Sequence, residues 1–131
     1  MVAPGRGRSG GGEPRRLEGA GSNVGSALRG EVFVVDLNPA RGGEIRKVRP
    51  AVVVSPDELN RESPTVIVAP LTTGSHAYPF RIPCRLGGTA GHVVLDQVRA
   101  VDRERLVRRV GRLSPATMSR ALAVLREMFA A

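Results

Sequence analysis

The chain has 131 residues, 41% of them apolar and 3% aromatic, which suits one domain with a core of Val, Leu, Ile and Ala. Its net charge is +8 and Lys47 is its only lysine, so the basicity is arginine's and favours nucleic acid or an acidic protein as partner. No apolar run approaches the roughly 20 residues of a membrane helix, the lone Cys84 excludes an internal disulfide, and no apolar signal core precedes residue 30, so cytoplasmic residence is expected.

Residues 1–29 are rich in Gly, Arg and Ser and lack apolar periodicity, which predicts a disordered basic arm before a domain spanning residues 30–131. Within that domain, EVFVVDL (31–37) is β-branched and apolar and predicts a strand. NPARGGEIRKV (38–48) reads as a charged loop, and PAVVVS (50–55) as a buried strand. PDELNRES predicts a short helical turn or a loop, with Pro56 at the first helical position. TVIVAPLT (65–72) predicts another strand, whose pairing Pro70 limits near the end. A short strand is expected over 78–83, a glycine-rich turn over 86–91, and a strand over 92–101 interrupted around Asp96 and Gln97. A last strand covers 106–113.

Ser114 as N-cap and Pro115 at the first position predict one long C-terminal helix, with Met118, Leu122, Leu125 and Phe129 on its apolar stripe. Five to seven short strands closed by a helix indicate a mainly β fold of small SH3-like barrel type.

Metal chemistry finds little support here. The two histidines, His76 and His92, and the scattered carboxylates show no HxxxH, HExxH or EF-hand spacing, and no phosphate-cradling GxxxxGK[ST] loop or GxSxG elbow is present. No metal and no cofactor is therefore expected. RNA cleavage needs neither, because the ribose 2′-hydroxyl can attack the adjacent phosphorus. The protein must then align the attack and stabilise charge on the phosphate, which a held guanidinium and a hydroxyl can do. Arg49 stands where the charged loop meets the PAVVVS strand, and Thr72 where TVIVAPL meets a polar run. If the two strands are neighbours, both side chains reach one phosphate. Read locally, Arg49 is more simply a solvated arginine, Thr72 a β-branched strand residue and His76 an exposed loop histidine, with His76 as acid–base catalyst the competing chemical idea.

The segments GEVFVVDLNPARGGEIRKVRPAVVVSP, VIVAPLTT, AYPFRI and LDQVRAVDRERL resemble, in order, blocks of the MazF/PemK toxin family. RPAVVVSP and PLTT are the most specific of them. The resemblance implies an SH3-like barrel with a C-terminal helix, a homodimer, and a metal-independent endoribonuclease that cuts single-stranded RNA at short motifs. It also implies 2′,3′-cyclic phosphate and 5′-hydroxyl products, and an acidic antitoxin partner. Carried over by position, the family's catalytic arginine and threonine fall on Arg49 and Thr72, and its acidic loop residue on Glu44, as an RNA-contact and orienting group or a proton acceptor. Arg46, Lys47, Thr73, Tyr78 and Gln97 are candidates for RNA contact. Two other functions fit the same barrel: a non-catalytic toxin that binds DNA gyrase, and a passive RNA-binding module. Neither needs the Arg49–Thr72 pair.

Overall fold

The computed structural model describes residues 26–39, 41–45, 47–73 and 78–131. Alternation governs the apolar strands, but both faces of the sheet are covered, so the sequence reads as continuous apolar runs. In β1 (Glu31–Asp36), Phe33 and Val35 face one core and Val32 the other; in β2 (Val48–Val53), Ala51 and Val53 face the first and Val52 the second. β3 (Thr65–Thr72) does the same, with Val66 and Val68 on one side and Ala69 and Leu71 on the other. Ala27 is 2% exposed in the first core, so packed chain is already present just before β1.

Between β2 and β3 lies α1 (Asp57–Glu62), then β4 (Arg81–Leu86), β5 (Thr89–Val94), β6 (Arg99–Asp102) and β7 (Leu106–Arg112) follow β3. The sheet is antiparallel in the order β4-β5-β3-β2-β1-β7, with β6 paired to β3 off that path. It curls until its two edges meet: a Cβ on Gly111 of β7 would lie 2.8 Å from Leu86 Cδ1 of β4. This is the expected mainly β, barrel-like architecture, in the form of a strongly curled sheet.

β3 changes partners where Pro70 stands. Residues 65–68 pair with β6 and residues 71–72 with β5, while Pro70 itself is opposite Ala51 of β2. A proline brings no N–H to the ladder, and the opposing chain fills this gap with a 3-10 turn, Leu95–Gln97, at the interruption expected around Asp96 and Gln97.

The final helix, α2 (Pro115–Met128), starts as predicted. Ser114 Oγ accepts from the Thr117 N–H at 3.1 Å, and Pro115 occupies the first turn. Met118 and Ala121 are buried against the second core, with Leu122 and Leu125 packed beside them.

Several local expectations shift: the strand expected over 50–55 runs from Val48 to Val53, so Arg49 lies within it, and the strand expected from residue 92 begins at Thr89. Pro56 is extended and caps α1 from outside, and Asp57 is the first helical residue. The strand expected over 78–83 begins at Arg81, because Tyr78 to Phe80 form a turn closed by the Arg81 N–H on the Tyr78 carbonyl at 3.0 Å. The turn expected over 86–91 shrinks to Gly87 and Gly88 between β4 and β5. Phe129 leaves the helical stripe: the helix ends at Met128, and Phe129 is 75% exposed.

Candidate active site

Arg49 lies on β2 and Thr72 at the end of β3, neighbouring antiparallel strands. Their ladder pairs Ala51 with Pro70, and continuing that register by two residues sets Arg49 opposite Thr72. Residues opposite each other in a sheet project to the same side. Both indeed line one cavity of about 230 Å³, whose wall also includes Thr73, Cys84 and Gly91. The Thr72 hydroxyl has one polar contact at hand, the Thr73 carbonyl at 3.3 Å.

Gly91 fits this site by having no side chain. β5 crosses β3 so closely at the Thr72↔His92 pair that a Cβ on Gly91 would lie 2.4 Å from the Thr72 carbonyl oxygen. A glycine inside a strand signals such an approach, and here it fell within a stretch read as turn. Cys84, also unassigned by sequence, stands across from Gly91 on β4, and burial pushes its thiol pKa up.

The loop before β2 is shaped from both ends. At its neck the Lys47 N–H donates to Asn38 Oδ1 at 3.0 Å and the Lys47 carbonyl accepts from the Leu37 N–H at 3.1 Å. Lys47 takes a left-handed backbone with φ 73°, so the chain turns sharply just before Arg49. At the loop's far end, Gln97 acts as a clasp: its Oε1 accepts from the Ile45 N–H at 2.7 Å and its Nε2 donates to the Gly43 carbonyl at 3.3 Å. Glu44 folds onto the same loop, its Oε1 accepting from the Arg41 N–H at 2.6 Å.

Glu44 and Gln97 therefore line a different cavity, about 390 Å³, beside Pro70 and Asp96. The structure brings Arg49, Thr72 and Thr73 together and holds Glu44 and Gln97 next door. Lys47 is exposed at the loop neck, and Tyr78 stands exposed in the turn before β4. Arg46 and His76 lie outside the described residues. Among the described residues, no three His, Cys, Asp or Glu are grouped to hold a metal ion, and no helix is long and apolar enough to cross a membrane.

Residues 28–129 match the family model described as PemK-like, MazF-like toxin of type II toxin–antitoxin system. The chain is 38% identical over 103 residues to Endoribonuclease MazF9 of Mycobacterium tuberculosis, covering 70% of this chain and 86% of that protein. It is 35% identical over 98 residues to Endoribonuclease MazF of Staphylococcus epidermidis, covering 69% and 80%. Among solved structures, MazF from Deinococcus radiodurans superposes with a TM-score of 0.73 at 24% identity, over 81% of this chain and 98% of that one. An endoribonuclease in complex with its cognate antitoxin, from a mycobacterial species, gives 0.66 at 25% identity, over 78% and 93%.

Proposed function

The chain belongs to the PemK-like, MazF-like toxins of type II toxin–antitoxin systems, and from that premise we propose that it cuts single-stranded RNA between Arg49 and Thr72. The observation that carries this reading is the shared cavity of those two residues on adjacent strands. Relatives at 35–38% identity are named endoribonucleases, and this chain spans 80–86% of their length, which supports the same activity here.

The chemistry follows from what the cavity offers. The 2′-oxygen of the nucleotide before the cut attacks the adjacent phosphorus, forming the 2′-O–P bond. The 2′-hydroxyl proton passes to solvent water, the P–O5′ bond breaks, and the departing 5′-oxygen takes up a proton from water, leaving a 2′,3′-cyclic phosphate on one fragment and a 5′-hydroxyl on the other. Negative charge builds on the phosphate oxygens in between. The guanidinium of Arg49 donates two parallel hydrogen bonds to those oxygens, and the Thr72 hydroxyl adds a third from the facing strand. Arginine holds its protons too firmly to serve as the general base, so Arg49 is a donor and charge stabiliser. No step in this scheme calls on a metal.

Thr73 lines the cavity and Lys47 stands exposed two residues before Arg49, and both contact the RNA backbone or ribose. Gln97 and Glu44 support recognition through the loop they hold. With net charge +8, the natural protein partner is acidic, and an antitoxin covering this surface blocks RNA entry. A homodimer working on mRNA in the cytoplasm completes the proposal, with residues 1–25 dispensable for cutting.

The test is direct. Purified protein incubated with single-stranded RNA in EDTA should give defined cuts with 5′-hydroxyl ends. Intact RNA would refute the nuclease reading and leave the binding functions on this fold.

A further inference from the structure

We propose that Tyr78, Arg81 and Asp96 form a stacking platform for one nucleobase of the bound single-stranded RNA, a reading that rests on the RNA-cleaving function above. Tyr78 is the only tyrosine in a chain with 3% aromatic residues and no tryptophan, yet it is 52% exposed. An aromatic ring so placed contributes little to a core.

The ring is held in advance. The Arg81 guanidinium carbon lies 4.7 Å from its centroid, and the Arg81 N–H donates to the Tyr78 carbonyl at 3.0 Å. Arg81 is in turn anchored, its Nε and Nη2 donating to the two oxygens of Asp96 at 3.3 and 3.4 Å. Asp96 offsets the charge of Arg81, so the pair offers a phosphate no net attraction. What remains for a ligand is a flat, oriented π surface, which suits a base better than a backbone. A surface ordered before binding spares the ligand the cost of ordering it.

Its position fits the cut site. Thr72 pairs with His92 on β5, and Arg81 on β4 pairs with Val94, two residues further along β5. Arg81, against which the ring lies, therefore sits about 7 Å along the strands and about 10 Å across them from Thr72. That is the reach of a base one or two nucleotides from the scissile phosphate when single-stranded RNA is splayed. Asp96 also lines the cavity of Glu44 and Gln97, so a base on Tyr78 borders that cavity.

Because Tyr78 is the sole tyrosine and tryptophan is absent, intrinsic emission reports this ring alone. The probes are uniformly 2′-O-methylated 12-mers, which lack the attacking hydroxyl: oligo(A), oligo(U) and an abasic strand of equal charge, each end-labelled for anisotropy. The full chain is expected to show Tyr78 emission, corrected for RNA absorbance, changing in step with binding of the base-bearing strands and not with the abasic one. Tyr78→Leu should weaken binding of the base-bearing strands about fivefold or more. Tyr78→Phe should recover most of that loss, and Asp96→Asn should fall between. Saturable binding with unchanged Tyr78 emission, and equal affinity in Tyr78→Leu, would overturn the platform while leaving RNA cutting intact. Absence of binding together with uncut RNA would remove the RNA reading and the platform with it.

Discussion

A Cβ placed on Gly91 of β5 would lie 2.4 Å from the carbonyl oxygen of Thr72 on β3. No real Cβ tolerates that distance from a backbone atom, so any side chain at position 91 must push the two strands apart. The end of β3 carries the hydroxyl proposed to meet the scissile phosphate. A misplacement of that group by as little as an ångström is enough to cost about a hundredfold in rate.

Gly91→Ala should therefore lower single-turnover cleavage at least tenfold. Overpacking of this kind costs about 1–3 kcal/mol, so the melting temperature should fall by several degrees while the protein remains folded. Thermal melts beside cleavage rates check this. A variant equal to the parent in both would show that the strand contact does not position Thr72.

Gln97 joins the loop before β2 to the 3-10 turn through two hydrogen bonds. Gln97→Leu removes both, leaving the Ile45 N–H and the Gly43 carbonyl to solvent, at a cost of about 1 kcal/mol for the better bond. Amide exchange at Ile45 should accelerate roughly fivefold, that cost expressed as a local opening. Unchanged protection at Ile45 would mean the loop is held by other contacts.

Cys84 lines the cavity with Arg49 and Thr72, and burial raises its thiol pKa. The thiolate is the reactive form, so a raised pKa delays reactivity to higher pH. Alkylation by iodoacetamide should be slower at pH 7 than for an exposed cysteine, and its midpoint should lie above that of a free thiol. The carbamidomethylated protein should bind and cut RNA more weakly, because the adduct occupies the cavity. Full activity after complete alkylation would place the RNA elsewhere.

Ala27 is buried in the core, and the Arg29 N–H donates to Asp57 Oδ1 at 2.8 Å while its Nε donates to the Val54 carbonyl at 2.9 Å. A chain starting at Ser26 should keep the parent's stability and cleavage rate. One starting at Gly30 loses these contacts and should be less stable by about 2 kcal/mol, summing a buried methyl and two hydrogen bonds. Denaturant midpoints of the two truncations measure the difference.

Much of this fold is written locally. TVIVAPLT coincides with β3 to the residue, Ser114 and Pro115 mark the start of α2, and the break at Asp96 and Gln97 is where β5 gives way to β6. These depend on side-chain branching, caps and the missing proline N–H, all of which act within a few residues. What escaped depends on distant partners. Gly91 looks like turn until β3 is laid against it, and Ala27 looks like arm until its place in the first core is seen. Phe129 continues the helical stripe in sequence, but the helix stops one residue short of it. Glu44 and Gln97, taken individually as RNA contacts, are joined by the loop they hold, a relation spanning more than fifty positions.

The most direct test is a double-mutant cycle on one defined RNA, using Arg49→Lys, Thr72→Val and the pair together, with single-turnover cleavage as the readout. Each single change should cost about a hundredfold or more, since Arg49→Lys replaces the two-pronged donor by a point charge and Thr72→Val removes the hydroxyl. If both groups converge on that phosphate, the double variant should be little slower than the worse single variant. Losses that multiply in full, or single variants that cut like the parent, would contradict a shared site at Arg49 and Thr72.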